Sequence, residues 1–341
     1  MQTTKKICGI ALALACNRAV LKAQNLYIVN SGNNTIGEYG LDGSVVNASL
    51  ISSGLNLPET IAFSGNDLFI VNGDADTIGE YTTSGATVNA SLITGLNGPP
   101  SGAISGTNLF VMDQGGSTVG EYTTSGAAVN ASLITGLNAD YGIAISGTNL
   151  FITDFYDGTV GEYTTSGETV NASLISGLDY PVGVTVAGTN LFVASLSDGT
   201  VGEYTTSGAT INASLISGLD QPQRIAIWGT NLFVACEASG TVGEYTTSGT
   251  TINASLITGL SNPLDVEISP APPSPGPQLN IAPFGNLSVL FYPAWATNYV
   301  LQSVTNLASS NWLTVTNGVP VIAVTVPNSS PASFFRLVPA D

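Results

Sequence analysis

The chain contains a segment that reads Thr-Val-Gly-Glu-Tyr-Thr-Thr-Ser-Gly at residues 241–249 and continues as Asn-Ala-Ser-Leu-Ile at residues 253–257. Its Gly-Glu-Tyr part starts at six places, Gly37, Gly79, Gly120, Gly161, Gly202 and Gly243, and an Asn-Ala-Ser copy follows each. Successive copies are 42, 41, 41, 41 and 41 residues apart. A fixed period in the low forties without a helical pattern is typical of β-propeller blades. The repeat therefore predicts an all-β protein, a six-bladed β-propeller.

One complete repeat has the four strands that a blade needs. We expect strands at residues 223–228, 231–235, 241–246 and 251–257, because apolar and β-branched residues fill these segments and Gly, Asn and Ser separate them. The turn before the fourth strand contains Gly249, which supplies the positive φ that a tight hairpin requires. Each repeat thus reads as one antiparallel sheet.

The first repeat lacks an innermost strand. It begins at residues 25–29, which correspond to the second strand of the later repeats, and an additional inner strand follows the last repeat at residues 265–268. Pairing between these segments would close the ring and remove the exposed edges that an open array leaves. We therefore predict a propeller over residues 24–268, closed by its C-terminal inner strand.

The segments on either side of the repeats have different compositions. Residues 1–23 have two lysines, a short apolar run and small residues, which predicts a bacterial signal peptide and a secreted or cell-envelope protein. Cleavage before Cys16 would give a lipoprotein, and we favour the alternative, cleavage after Ala23. Residues 269–277 form a proline-rich linker, and the short alternating segments within 278–341 predict a small β-sandwich.

Composition limits the chemistry. The sequence has no histidine, which excludes His-based triads, imidazole general bases and His metal sites. The formal net charge is −17, with only six basic residues, so nucleic acids and anionic membranes are disfavoured as partners. Cations, neutral sugars and basic proteins remain open. Beyond the predicted signal peptide the only cysteine is Cys236, which we expect to be an unpaired, buried thiol.

Two family resemblances rest on short patterns. The repeat combines Pro, a short aliphatic strand, Asn-Leu-Phe-Val and Thr-Val-Gly-Glu-Tyr before a Ser-Gly turn, and it resembles the NHL-type six-bladed propellers that bacteria secrete. This resemblance implies a binding scaffold more often than an enzyme. The terminal Ser-Phe-Phe-Arg-Leu at 333–337 is similar to the small fibronectin-type-III-like modules that end many secreted bacterial proteins.

Two of the four connections in each repeat change little, whereas the other two diverge. The Ser-Gly-Thr-Asn turns (105–108, 146–149) and the Thr-Thr-Ser-Gly turns (123–126, 164–167) are nearly constant. The loops between the second and third strands, and the links between repeats, vary. In an up-and-down blade these variable connections open on one face, and loops on a rigid scaffold usually carry binding residues. Random drift would also vary exposed loops, but it would not leave the other turns constant.

We call this surface the variable face. The residues predicted to form a binding site on it are Asp113, Tyr141, Asp154, Phe155, Tyr156, Tyr180, Asp198, Arg224 and Glu237. Its acids suit calcium, whose ligands are oxygens, and its aromatic residues suit stacking on sugars. The alternative is a solvated acidic rim. Calcium is therefore the cofactor that these residues suggest. Because the full spacing of a calcium loop is absent, no metal ligand is assigned.

Two further kinds of carboxylate differ in the role that the sequence predicts for them. Glu267 replaces Ala or Thr in the closing inner strand, which makes it a single acid near the channel and a candidate functional residue. The repeated glutamates occupy one structural position in every blade, where we expect a hydrogen bond to a neighbouring blade or partial exposure rather than catalysis. They are Glu38, Glu80, Glu121, Glu162, Glu203 and Glu244.

The sequence therefore favours a non-catalytic binding scaffold, expected to be monomeric, whose partner is an extracellular protein or a carbohydrate. The alternative is a calcium-dependent propeller enzyme of the lactonase or lyase type, although lyases that rely on histidine are excluded. A third possibility is a structural component of the cell surface or matrix. No catalytic residue is assigned.

Overall fold

The computed structural model describes residues 24–270 apart from residue 139, together with the strands that lie between residues 280 and 339. The chain divides into two compact units, one of which is Ala23–Pro270. In this unit, 24 strands form six four-stranded antiparallel sheets, which are the blades of a β-propeller. The fold class predicted from the repeat is confirmed for this unit.

The blades are numbered in chain order. Blade 1 combines β24 (Pro263–Ile268) with β1 (Asn25–Asn30), β2 (Thr35–Gly40) and β3 (Val45–Ile51); blade 2 is β4 (Pro58–Ser64), β5 (Asp67–Asn72), β6 (Thr77–Thr82) and β7 (Thr87–Thr94); blade 3 is β8 (Gly102–Ser105), β9 (Asn108–Asp113), β10 (Thr118–Thr123) and β11 (Ala128–Thr135); blade 4 is β12 (Asp140–Ser146), β13 (Asn149–Asp154), β14 (Thr159–Thr164) and β15 (Thr169–Ser176); blade 5 is β16 (Pro181–Ala187), β17 (Asn190–Ser195), β18 (Thr200–Thr205) and β19 (Thr210–Ser217); blade 6 is β20 (Pro222–Trp228), β21 (Asn231–Cys236), β22 (Thr241–Thr246) and β23 (Thr251–Thr258). A single 3-10 turn, Ser31–Asn33, separates β1 from β2.

The ring closes within blade 1, as predicted. Strand β24 pairs with β1 in antiparallel register, so that Leu26 lies opposite Ile268 and Ile28 opposite Val266. The backbone amide of Ser269 donates a further hydrogen bond to the carbonyl of Asn25, at 2.9 Å. The last strand of the propeller therefore covers the inner edge of its first.

The repeated residues explain the packing between blades. At one position in the second strand of five blades a phenylalanine is fully buried, namely Phe69, Phe110, Phe151, Phe192 and Phe233. In the Gly-Glu-Tyr segment the glycine leaves room for the tyrosine ring two residues later, since a Cβ on Gly243 would lie 2.7 Å from Cε2 of Tyr245. Cys236 is also buried and, within the described part of the chain, unpaired, as predicted.

The repeated glutamates have partners inside their own blades, which corrects the expectation of a bond between blades. The other expectation, partial exposure, is confirmed for all of them except the buried Glu38. In five blades the Nδ2 atom of an asparagine in the second strand donates to Oε1 of the glutamate in the third strand, at 2.7 Å. The pairs are Asn25–Glu38, Asn108–Glu121, Asn149–Glu162, Asn190–Glu203 and Asn231–Glu244. The antiparallel register places the glutamate two residues from the position directly opposite the asparagine, on the same face of the sheet, so the bond needs no other blade.

Blade 2 breaks this pattern, because Asp67 stands where the other blades have asparagine. The pKa of Glu80 is raised, by its partial burial and by the negative charge of Asp67. We expect Asp67→Asn to restore the hydrogen bond and to raise the free energy of unfolding at pH 7 by about 0.5–1.5 kcal/mol. Urea unfolding measures the change. The reverse exchange in blade 3, Asn108→Asp, is the matched control and should destabilise the protein; two variants with wild-type stability would contradict the assignment.

The C-terminal strands form two three-stranded sheets. Their bounds are β25 (Asn280–Phe284), β26 (Leu287–Phe291), β27 (Tyr299–Val304), β28 (Leu313–Thr314), β29 (Ala323–Pro327) and β30 (Phe334–Pro339). The sheet orders are β25-β26-β29 and β28-β27-β30. The packing predicted for a β-sandwich, the predicted signal peptide and most of the predicted linker lie outside the described residues. Within the described residues, no helix has the length and apolar character needed to cross a membrane.

Candidate binding face and central channel

The two variable connections of each blade lie together at one end of the propeller, as the up-and-down topology predicts. Backbone amides in the loop between the second and third strands donate to carbonyls in the preceding link, at 2.9–3.0 Å in several blades. The pairs include Gly73 with Leu57, Leu196 with Tyr180, and Glu237 with Gln221. The sequence variation therefore concentrates on a single, hydrogen-bonded surface.

A repeated backbone conformation fixes the links. One residue before a proline in each of several links has a positive φ; these residues are Leu57, Gly98, Tyr180, Gln221 and Asn262. Glycine and asparagine adopt this left-handed conformation most easily, whereas a tyrosine in it is uncommon. Tyr180, with a φ of 52°, is therefore held there by the link and not by its own preference.

Four aromatic rings meet where the loop of blade 4 lies beside the links into blades 4 and 5. The ring of Phe155 is central: its centroid lies 5.0 Å from that of Tyr141, 5.2 Å from that of Tyr156 and 4.6 Å from that of Tyr180. Edge-to-face and tilted pairs at these separations are favourable. We call these residues the aromatic cluster. The structure thus brings together all four aromatic residues that the sequence proposed.

The rings differ in exposure. Tyr156 is 68% exposed and Tyr180 is 40% exposed. In contrast, Tyr141 and Phe155 are partly buried and pack against a core cluster that includes Val182. Partial burial also raises the pKa of the Tyr141 hydroxyl. Tyr141 and Phe155 therefore support Tyr156 and Tyr180, whose rings are exposed to solvent.

The acids of the variable face do not converge in the same way. Asp113 accepts hydrogen bonds from the amides of Asn97 (3.1 Å) and Gly116 (3.2 Å), and Asp154 accepts one from the amide of Asp157 (2.9 Å). These two carboxylates hold their own loops, while Asp198 is exposed. Among the described residues, no three Asp, Glu or Cys side chains approach closely enough to hold a metal ion. The acidic side chains of the variable face therefore do not form a calcium site by themselves.

The inner strands surround a central cavity of about 320 Å³. Its wall includes Ala62, Ala103, Ala144, Thr185 and Glu267, which occupy equivalent positions in their strands. The other four of these residues are therefore small and uncharged, and each has a methyl group. The predicted position of Glu267 beside the channel agrees with the structure, and its carboxylate makes an otherwise regular wall asymmetric.

Arg224 extends across the channel. It belongs to blade 6, but its Nη2 atom donates hydrogen bonds to two other blades. One goes to the carbonyl of Pro100, just before the inner strand of blade 3, at 2.9 Å, and the other to the carbonyl of Tyr141, in the inner strand of blade 4, at 2.8 Å. Gly142 and Gly183 occupy the corresponding positions in blades 4 and 5, and a Cβ on Gly183 would collide with the carbonyl of Gln223 in the next blade. Arg224 thus lies inside the ring below the variable face and not on its open surface.

Three carboxylates share the surroundings of this guanidinium. Asp265 is 2% exposed and accepts a hydrogen bond from the amide of Ile61, at 2.8 Å. Burial raises the pKa of Glu59 to about 7, opposed by the charge of Arg224. Burial also raises the pKa values of Asp265 and Glu267, and again Arg224 lowers them. Arg224 therefore compensates several buried acids at once.

Glu59, whose charge interacts with that of Arg224, was not predicted as a functional residue from the sequence. Glu59 was missed because it follows a proline that resembled the other links, although none of the equivalent residues Pro100, Val182 and Leu264 is acidic. That single substitution was the available signal. Glu237, which was predicted, accepts a hydrogen bond from Nε2 of Gln223.

No protein-family model and no curated protein sequence matches the chain. Among solved structures, it is similar to a chain of the nidogen/laminin complex, with 15% identity and a TM-score of 0.63, over 73% of this chain and 99% of that chain. It is also similar to virginiamycin B lyase from Staphylococcus aureus, with 18% identity and a TM-score of 0.50, over 78% of this chain and 87% of that one. The shared feature is the fold. Residues 24–270 form a six-bladed β-propeller.

Proposed function

We propose that the protein is a non-catalytic binding scaffold of the NHL type, secreted or held at the cell envelope, which binds a carbohydrate or an extracellular protein through its variable face. The observation that carries this proposal is the aromatic cluster. Tyr156 and Tyr180 leave large apolar areas in water although the repeats around them bury their aromatic residues. Exposed rings on a rigid rim are a common basis of recognition, and tyrosine is enriched at binding hot spots.

The support of the two outer rings adds to this proposal. Phe155 contacts the other three rings, and it packs on the core through its own partly buried surface. A ligand that covers Tyr156 and Tyr180 would meet side chains that are already held in place, so little conformational entropy is lost on binding. The similarity to a chain of a protein complex is compatible with this role, at the level of fold.

The alternative is a calcium-dependent lactonase or lyase, as the similarity in fold to a lyase allows. Such a site needs several oxygen ligands around one point. Within the residues that the structure describes, no group of three acidic side chains has that arrangement. The same purified protein can be titrated with calcium by calorimetry, and saturable calcium binding would favour the enzyme over the scaffold.

We expect the double variant Tyr156→Ala/Tyr180→Ala to lose binding by at least about tenfold, because truncation of an aromatic hot spot costs about 1–2 kcal/mol or more per ring. A glycan array and a pull-down with extracellular proteins identify the partner, and titration of that partner gives the affinity. Phe155 is retained so that the support of the loop remains.

Trp228→Ala is the matched control, since Trp228 is 44% exposed and ends an inner strand at the opposite, invariant face. This control should bind as the wild type does. If the double variant binds equally well and the Trp228 variant does not, the binding face has been chosen wrongly.

A further inference from the structure

The side chain of Arg224 crosses one end of the central cavity. Arg224 bridges the channel on the side of the variable face, through its bonds to the carbonyls of Pro100 and Tyr141. At its other end the cavity wall is made by residues next to the invariant turns, such as Phe63, Ile104 and Ile268. The cavity is therefore a pocket within the propeller that is separate from the aromatic cluster.

The chemical character of this pocket is uneven. Asp265 and Glu267 lie two residues apart on one strand, so their side chains point to the same side, and both line the cavity. Aliphatic side chains, including Ala62, Ala103 and Ala144 at the level of Glu267, form part of the remaining lining, although the accessible surface of the cavity is more polar than apolar. The two carboxyl groups thus supply hydrogen-bond acceptors, and the alanine methyl groups beside them offer a small apolar contact.

A second, independent observation points to a missing partner. Thr60 lines the same cavity and is 2% exposed, and among the described residues its Oγ1 atom has no hydrogen-bond partner. A buried hydroxyl without a partner is costly, and a bound water, ion or ligand can satisfy it. Nη2 of Arg224, which lines the same cavity, donates to two backbone carbonyls and not to this hydroxyl.

We propose that the central cavity is a second binding site, which takes a small primary ammonium ion through the carboxylate of Glu267, with Asp265 and the hydroxyl of Thr60 beside it. An ammonium group supplies three donors, which suits two carboxylates and a hydroxyl. A short alkyl chain would then contact the alanine wall. The volume of about 320 Å³ is at the lower end of the range for small-molecule pockets.

Other ligand classes fit less well. A metal ion would need more ligands than these, since no group of three ligating side chains was found among the described residues. An anion would be repelled by the two carboxylates and by the net charge of −17 on the chain, and Nη2 of Arg224, the cation in the cavity lining, is already bonded to two backbone carbonyls. The same net charge attracts a cation toward the entrance.

The test is a calorimetric titration of the full chain with n-butylammonium chloride at about pH 9, because burial raises the pKa of Glu267 to about 8 and its carboxyl group must be ionised. An alkylammonium ion, like a lysine side chain, is still charged at this pH. We expect saturable binding by the wild type, and a loss of at least about tenfold in affinity in Glu267→Ala, the factor expected when a charge-assisted hydrogen bond is removed. This variant introduces the residue that Ala62, Ala103, Ala144 and Ala226 already provide at equivalent positions, so the fold should be retained. Thr60→Val should weaken binding by a smaller factor.

The controls separate a specific site from the general field of the protein. Glu168→Ala removes one exposed negative charge in a turn and should leave the affinity unchanged. 1-Butanol has the same chain without a charge and should bind at least about tenfold more weakly. No saturable binding by the wild type, equal binding by Glu267→Ala, or equal binding of 1-butanol would overturn the proposal. The Tyr156→Ala/Tyr180→Ala variant should retain amine binding, which keeps this test independent of the variable face.

Discussion

A chain that ends at Asn262 is expected to aggregate, whereas a chain that ends at Pro270 is expected to remain monomeric with nearly the thermal stability of the full chain. The shorter chain lacks β24, whose Val266 is completely buried and whose backbone pairs with β1. Its loss removes about 1.5–3 kcal/mol for each buried aliphatic side chain, and it exposes an inner edge. Against a typical total stability of about 5–15 kcal/mol, this loss is large.

Light scattering after size exclusion, followed by thermal unfolding, gives the result. The chain that ends at Pro270 is the control, because it lacks the same C-terminal unit but retains the closing strand. If both truncated chains are monomeric and unfold at the same temperature, closure by β24 is not what stabilises the ring.

Replacement of Arg224 is expected to have the second large effect. Arg224→Met keeps much of the aliphatic side chain but removes two charge-assisted hydrogen bonds and leaves Glu59, Asp265 and Glu267 without their nearest compensating charge. Breaking a buried charge interaction of this kind costs about 3–5 kcal/mol. For a domain of this size, the midpoint of thermal unfolding should fall by roughly 6–20 °C. Arg224→Lys keeps the charge but not the planar donor group, so its midpoint of thermal unfolding should lie between those of the wild type and Arg224→Met.

The pH dependence of this effect has a definite sign. Arg224 lowers the pKa values of these buried carboxyl groups, although burial raises them overall. A folded-state pKa above the unfolded value means that the folded state binds more protons between the two values, so stability falls as the pH rises through that window. Without Arg224 the folded pKa values rise further and the window extends upward. The loss of stability should therefore be greater at pH 8 than at pH 5; an equal loss at both would show that charge compensation is not the cause.

The sequence predicted those features that every blade contributes. Gly-Glu-Tyr and Asn-Ala-Ser repeat because each blade packs on its neighbours in the same way, and the strand bounds at Thr241–Thr246 agree with those predicted. The absence of an inner strand from the first repeat, and the additional one after the last repeat, also predicted how the ring closes. Because each blade packs on its neighbours through the same residues, those residues recur at a fixed spacing in the sequence.

Features that depend on a single side chain were predicted less well. Arg224 was placed on the variable face because its position follows a link, but the alternation along β20 and the small Gly142 and Gly183 direct it across the channel. Likewise, the sequence grouped Phe155 with Tyr180 without showing that Phe155 is a support and Tyr180 is exposed. Such distinctions depend on contacts between distant blades, which no local pattern records.

The closure within blade 1 also determines how the propeller responds to tension. Gln24 and Asn25 bond to Ser269, so both ends of the propeller leave from the same end of an antiparallel pair. A force that pulls residues 24 and 269 apart would load the hydrogen bonds between β1 and β24 one after another, as in a hairpin that is unzipped. Strands pulled from opposite ends share the force across all their bonds at once. A propeller that resists heat through a closed ring would therefore yield readily when stretched between its own termini.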